Sequence, residues 1–592
     1  MIKKILSFPL LLLLILAAPF QLFAQSDTPP APKYEFRSVW VPTVAAAQDW
    51  PTFTYPATEE GIRNLIRNLK NRGQNAVVLQ VVGRGDALYP SVRLPWVRQI
   101  TGTYGGDPGW DPLAVAIDEA HRLGMEFHAW YNVFRIGDST LIEELDEGPN
   151  HVLYENPEWV RSDPGAANQL WLDAGIPDAR AWAVGNVLEI VRNYDIDAIH
   201  FDFIRYPTNG FASDFDTKAL YNPKNIIPTA EWRRDNVTEF NRAVYDSVMQ
   251  IRPRVKVGST PVGHYKFSDG WAFLSGYSSV YQDSRGWLNE GVNDYIVPQI
   301  YWDIGDVSAP RFDWLVRDWM GETYGRHVYI GTGPYQPHIR AELPVQIDTT
   351  RVNGAAGQVH FRFASVGAGR PFDDRYDLPA IIPPMPWKDM TAPGSPVNLI
   401  ATWPGAGGTE LTLTWEAPDF GRGDAEPARY AVYRIPVSDN EITSEHLDNP
   451  ANLIMVTGET FFVDTPDMTV PEYDYFVTAL SHNNVESEPA GAGVNTSADD
   501  ERYLARNFSL DQNYPNPFNP STTIRFALDD AGYARIRIFD QLGRLVAEPL
   551  SDNRSAGTHT VSFNASHLAS GVYIYRLEFG NRQLTRKMML VK

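Results

Sequence analysis

The chain has 592 residues, 51 lysines and arginines against 72 aspartates and glutamates, a formal net charge of −21, and no cysteine. At roughly 150 residues per domain the length suggests three or four domains, and the acid excess argues against a nucleic-acid partner, because phosphate binding needs clustered cations. Without cysteine there are no disulfides, thiolate-bound metals or thiol nucleophiles, so carboxylates, imidazoles and the 12% aromatic residues must carry any chemistry.

Lys3 and Lys4 precede an apolar run from Ile5 to Ala18, followed by Leu22-Phe23-Ala24 before Gln25. A basic start, an apolar middle and a small residue at the cut predict a secretory signal peptide over 1–24. The run is broken by Pro9 and Pro19 and falls short of the ~20 residues that span a bilayer. No transmembrane segment is expected after cleavage.

Residues 25–33 form a polar, Pro-rich tether, and from 34 to 375 strand and helix patterns alternate. Eight apolar runs read as strands: Arg37–Thr43, Ala76–Val82, Met125–Asn132, Ala198–Phe203, Val255–Thr260, Tyr295–Tyr301, Val328–Thr332 and Gln358–Ala364. Helices fall between them. Ile62, Leu65, Ile66 and Leu69 repeat with helical spacing, Asp111-Pro112 opens a helix that Gly124 stops, and Ala181, Val184, Leu188 and Val191 mark another. Eight such repeats predict an α/β fold, a (β/α)8 TIM barrel. An open doubly wound sheet is the alternative, disfavoured because no Gly-x-Gly-x-x-Gly follows the first strand. Residues 376–396 are proline-dense and read as a linker. Beyond it, 397–497 and 505–592 lose helical periodicity and read as two all-β sandwich modules.

Alternate side chains of a barrel strand point inward, where a polar group is costly unless satisfied or used. The third strand turns Glu126, His128, Trp130 and Asn132 to one face; the fourth turns in His200 and Asp202 and sends Phe203 toward the helices; the second ends its inward series at Gln80, ahead of Arg84 and Asp86; the sixth aligns Gln299, Tyr301 and Asp303. Active sites of this fold lie at the C-terminal ends of the strands. Asp86, His128, Asn132, Asp202, Gln299, Tyr301 and Asp303 are therefore expected at one mouth, although His128 and His200 equally suit a buried polar layer whose members satisfy one another. Asp202 stands out, with Arg205 three residues on. Asp173 suits a catalytic carboxylate or a structural cap.

At these residues the sequence resembles the bacterial glycosyl-hydrolase-like family 10. The resemblance runs through Glu35 to Val41, Gln80 to Tyr89, Asp111-Pro112-Leu113, Glu119 to Asn132, Leu172 to Pro177, Ile199-His200-Phe201-Asp202, Arg205-Tyr206-Pro207 and Pro298 to Trp302. It covers about residues 34 to 375 and implies a barrel hydrolase acting on glycans, with some relatives linked to peptidoglycan strands. The family often carries a second Asp after the one matching Asp202, where this chain has Phe203. Trp415, Tyr430 to Tyr433 and Tyr473 to Ala479 are similar to strands of a fibronectin type III sandwich. The final segment, with Asn513 to Pro520, Gly543-Arg544, Gly571-Val572-Tyr573 and Lys587-Met588-Met589, resembles the type A sorting domain of type IX secretion. That implies the type IX machinery as partner and secretion or surface attachment in a Bacteroidetes-like bacterium.

Glycosidic cleavage uses two carboxyl groups, ~5 Å apart for retention and ~6.5–9.5 Å for inversion. Asp202 is the first choice, with Asp86, Asp303 or Asp173 as partner in that order. Trp40, Trp130, Tyr301 and Trp302 suit sugar platforms, Trp130 and Trp302 equally suiting barrel packing; Gln80, Arg84, His128, Asn132, His200, Arg205 and Gln299 suit substrate contacts. No cofactor and no metal are called for. A metal-dependent hydrolase using Asp86, His128 and Asp202 is disfavoured by the absence of a His-Glu-x-x-His motif, and a non-catalytic carbohydrate-binding barrel is the second reading.

Overall fold

The computed structural model describes residues 31–592 except 44–56, 139–150, 164, 166–168, 212–213, 268–270, 272, 306–309, 367–371, 404–408, 421–422, 438–443, 468–472, 495–508, 511, 514, 529–530, 542, 556 and 581. The expected signal peptide and the joint before the last module lie outside the described residues. No helix among the described residues is long and apolar enough to cross a membrane.

Among the described residues, eight parallel strands close a barrel: β1 (Phe36–Val41), β2 (Ala76–Val82), β3 (Glu126–Asn132), β4 (Ala198–Asp202), β5 (Lys256–Ser259), β6 (Tyr295–Ile296), β7 (His327–Thr332) and β8 (Gly357–Phe361). Each neighbours the next in the ring, and β1 pairs in parallel with both β2 and β8. Helices α1 (Glu59–Lys70), α2 (Pro112–Arg122), α3 (Pro177–Asn193), α4 (Thr229–Ile251), α5 (Ser284–Glu290), α6 (Phe312–Met320) and α7 (Pro337–Val352) follow the first seven strands in turn. The eightfold expectation holds in every strand.

Three local differences have physical causes. The sixth strand stops at Ile296 because Pro298 has no N–H to give the ladder; single bridges from Gln299 to Val262 and Gly331 carry the extended chain onward. In α3 the buried face is Ala179, Ala183, Val187 and Ile190 together with Leu188 and Val191, while Ala181 is exposed. This helix packs against α4 as well as the barrel, which widens its buried face beyond a single stripe. The Pro-rich stretch is no free tether. Ile382 and Met385 are buried with the barrel-interior residues Phe36, Tyr295 and Tyr329, and Ile381 is buried with Ala431, Leu453 and Leu480 of the next module.

Two sheets of four strands each, holding residues 397–494, enclose Leu399, Leu413, Trp415, Val432 and Val477. A three-stranded and a four-stranded sheet in 509–590 enclose Ile524, Phe526, Ile536, Tyr575 and Leu577. Both are sandwiches, as the alternation predicts.

Candidate active site

The ladder register sorts the barrel interior by depth. Asn132 of β3 pairs with Asp202 of β4, Trp130 with His200, and His128 with Ala198. Asn132 and Asp202 thus sit together at the C-terminal rim, and His128 lies four residues of strand below them.

Asp202 is 9% exposed. Its Oδ1 accepts the Phe203 backbone N–H at 2.7 Å and a longer bond from Gln299 Nε2 at 3.4 Å. Burial pushes its carboxyl up to about 6, with that backbone N–H, Arg205, Arg135 and Gln299 opposing. Tyr301 lies close enough for the Asp202 charge, after burial itself, to push its phenol well up. The ring of Tyr301 stacks with Phe361 at 5.8 Å and meets Trp40 and Tyr335 edge-on at 6.5 and 5.9 Å, forming an aromatic wall beside the carboxylate.

The three other candidate carboxylates differ. Asp86 is buried; its Oδ1 accepts the Arg84 backbone N–H at 2.8 Å, and its Oδ2 has only Arg84 Nε at 3.8 Å, with no hydrogen-bond donor among the described residues. Asn132 Nδ2 donates to the Gly83 carbonyl at 2.8 Å and so ties this loop to the rim that holds Asp202. Asp173 is buried with both oxygens engaged, Oδ1 by the Gly175 N–H at 2.9 Å and Oδ2 by the Thr217 hydroxyl at 2.7 Å. That is the bonding of a structural cap. Asp303 faces His338 at 3.3 Å, and its carbonyl receives the first N–H of α6 from Phe312.

The interior histidines form a column instead of reaching the rim. The Trp40 indole N–H, which can only donate, meets His200 Nε2 at 3.0 Å, so His200 carries its proton on Nδ1, 3.2 Å from the Tyr295 hydroxyl. Tyr295 donates in turn to His128 Nδ1 at 2.8 Å, and His128 Nε2–H reaches Glu126 Oε2 at 2.9 Å. Burial pushes both imidazoles down, so the neutral tautomers persist. His128 was expected at the mouth, but this satisfied chain engages both its nitrogens and leaves none for a metal. Trp40, at 1% exposure, is walled in as the top of the column and is not an open sugar platform. Trp130 is buried and donates to Asn132 Oδ1 at 2.9 Å. Trp302 packs outward near Leu315 and Trp319. Gln80 Oε1 accepts the Thr43 N–H at 2.9 Å, anchoring the turn after β1. Among the described residues no three His, Asp or Glu side chains gather as a metal site.

Phe203 packs against the apolar layer outside the barrel, as expected, but in a special backbone conformation. Its backbone takes φ 48°, a left-handed conformation uncommon for an aromatic residue, which ends the strand alternation at Asp202. The ring lies 5.0 Å from the Arg205 guanidinium, 5.1 Å from that of Arg135 and 5.7 Å from Trp171. Arg135 and Trp171 belong to a three-stranded antiparallel excursion after β3, built from Arg135–Asp138, Val160–Ser162 and Gln169–Leu172. These residues escape a period of two, as do Tyr335 and the stacking of Phe361 on Tyr301, because they lie in or beside connections. The one usable signal was Arg135 three residues past Asn132, at a strand's C-terminal end.

Residues 35–350 match the family described as Glycosyl hydrolase-like 10. Residues 512–592 match the Secretion system C-terminal sorting domain. The chain is 32% identical over 506 residues to Glycosyl hydrolase YngK of Bacillus subtilis (strain 168), covering 80% of this chain and 95% of that one. It is 31% identical over 327 residues to Glycosyl hydrolase DigH of Escherichia coli (strain K12), covering 51% and 73%. Among solved structures, α-L-fucosidase isoenzyme 2 from Paenibacillus thiaminolyticus overlays with a TM-score of 0.39 at 15% identity, covering 58% of this chain and 49% of that one, a likeness too distant to bear on the site.

Proposed function

We propose, since this chain belongs to the Glycosyl hydrolase-like 10 family, that its barrel cleaves glycosidic bonds of a bacterial or environmental glycan, peptidoglycan strands among them. The C-terminal module addresses the chain for secretion or surface attachment through the type IX system. We read the module between them as fibronectin type III-like, on its two sheets of four strands.

The observation that carries the reading is Asp202, a buried carboxyl at the end of β4 that burial pushes up to about 6 beside an aromatic wall. A carboxyl so placed keeps its proton in mildly acidic solution and gives it to the leaving glycosidic oxygen as the C–O bond breaks. The partner we assign is Asp86, whose Oδ2 lacks a hydrogen-bond donor among the described residues and whose loop is tied to the same rim by Asn132. It acts on the sugar carbon directly or through a water. Asp173 is assigned to structure, its oxygens being engaged by Gly175 and Thr217.

The test is release of new reducing ends from a panel of purified glycans that includes peptidoglycan, comparing the full chain with Asp202→Asn and Asp86→Asn. A loss of roughly 10²–10⁴-fold is expected for Asp202→Asn with folding retained; full activity in that variant sinks the reading. One observation favours a binding-only barrel: Phe203 stands directly after Asp202, where the family often carries a second carboxylate. Glycan binding without cleavage across the panel decides for it.

A further inference from the structure

Arg205 is the cation nearest the candidate acid in sequence, and its guanidinium is engaged by no hydrogen bond and no ion pair among the described residues. It lies over two rings, 5.5 Å from Trp171 and 5.0 Å from Phe203. Arg135 lies 5.1 Å from the same Phe203 ring, with its nearest carboxylate, Asp138, at 3.9 Å. Both cations lie within electrostatic reach of Asp202, and the buried Asp163 acts on each of them as well. Arg84, paired with Asp86, adds a third cation close enough to act on Arg135.

Arg205 is half-buried and the Arg135 side chain is 30% exposed, so solvent reaches both groups at the mouth while aromatic faces hold them in place. The arrangement makes sense when the missing anion arrives with the substrate. A guanidinium presents a planar fork that matches a carboxylate in two parallel bonds, and a stacked guanidinium is held with that fork fixed. In a chain of net charge −21, arginines concentrated at the barrel rim also set the mouth apart from the average surface.

We propose that Arg205, with Arg135 across the Phe203 ring, forms a subsite for a sugar carboxylate, so that the glycan cleaved at Asp202 is an acidic one. This rests on the hydrolase reading, and the experiment separates the two. The probes are peptidoglycan glycan strands freed of their stem peptides, which leaves the sugar carboxylates unblocked, and hexuronate polymers, each compared with the same polymer after its carboxylates have been reduced to primary alcohols through carbodiimide activation. The proteins are the full chain, Arg205→Met and Arg205→Lys, with thermal melting to establish that the variants fold; Met keeps the stacking stem without the fork.

The full chain is expected to cleave an acidic polymer at least tenfold better in kcat/KM than its reduced form. Arg205→Met closes that gap, and Arg205→Lys restores part of it. Equal cleavage of acidic and reduced polymers, a preference for neutral glycans, or a gap that survives Arg205→Met overturns the subsite and leaves the hydrolase reading standing. If the full chain cleaves nothing, calorimetric binding of the same polymers is decisive. Acid-selective binding that Arg205→Met abolishes upholds the subsite while the hydrolase reading falls; unselective binding overturns both.

Discussion

The guanidinium of Arg429, carried by the first β-sandwich, is buried at 2% exposure against the carboxylate of Asp197 at the foot of barrel strand β4. Arg429 Nη1 also donates to Asn484 Oδ1 at 2.9 Å, and Asn484 Nδ2 donates to Glu126 Oε1 at 2.7 Å. Glu126 ends the hydrogen-bonded column that begins at Trp40, and it also pairs with Lys256. The sandwich therefore closes the floor of the barrel and supplies a countercharge to its polar interior.

Arg429→Met is expected to destabilise the barrel by roughly 3–5 kcal/mol at pH 7, the usual cost of leaving a buried charge unpaired. Asp197 is held well below its usual range despite burial, by Arg429 and His121, and Glu126 is held down to about 2 despite burial, chiefly by Lys256 and His128. Groups with depressed folded values contribute fully above their unfolded values near 4 and lose that contribution as pH falls through the folded ones. The difference in urea midpoint between variant and parent should therefore shrink between pH 5 and 2. A difference that does not change with pH would show that Arg429 acts through packing alone.

In the proposed role, Asp202 sets the pH profile of cleavage. As the proton donor it must be protonated in the free enzyme, so kcat/KM is expected to fall with rising pH through about 6, the value to which burial pushes it. Assays from pH 4 to 9 on the best glycan of the panel read this limb directly. A rate flat to pH 8 removes Asp202 from the donor role.

The same carboxyl has a stability signature of opposite sign to that of Asp197. A folded value raised from 3.8 to about 6 leaves stability untouched below pH 3.8 and lowers it as pH rises toward 6, reaching about 3 kcal/mol above that range. Asp202→Asn removes the penalty. It is expected to raise the melting temperature at pH 8 and to leave it nearly unchanged at pH 4.

The barrel was legible because each strand is an apolar run bounded by turn residues, and because α1 and α2 carry unmistakable stripes and caps: Ile62, Leu65, Ile66 and Leu69 are buried, and Asp111 caps the Ala114 N–H at 3.0 Å. Asp202 was legible for the same reason, as a carboxylate where a period of two demands an inward side chain. Depth was not. The alternation told that His128 points inward, but only the register of β3 against β4 shows that it sits far below the rim. The left-handed φ that ends the period at Phe203 has no mark in the alternation, and the docking of Arg429 was hidden because its partner lies 232 residues away in the chain.

Trp40 and Tyr335 separate packing from recognition. Trp40 is enclosed and its N–H fixes the His200 tautomer, so Trp40→Phe should cost about 1–3 kcal/mol of stability by leaving a buried acceptor unpaired. Tyr335 is 48% exposed and stands edge-on to Tyr301 beside Asp202. It has the open face that a sugar ring needs, and little folding energy depends on it. Tyr335→Ala is expected to leave the urea midpoint within roughly 0.5 kcal/mol of the parent while raising KM on the cleaved glycan several-fold, the equivalent of about 1 kcal/mol of aromatic contact. If instead Tyr335→Ala unfolds the chain, or Trp40→Phe changes KM and leaves the melting curve alone, the platform belongs to Trp40 and the mouth opens deeper into the barrel than its burial indicates.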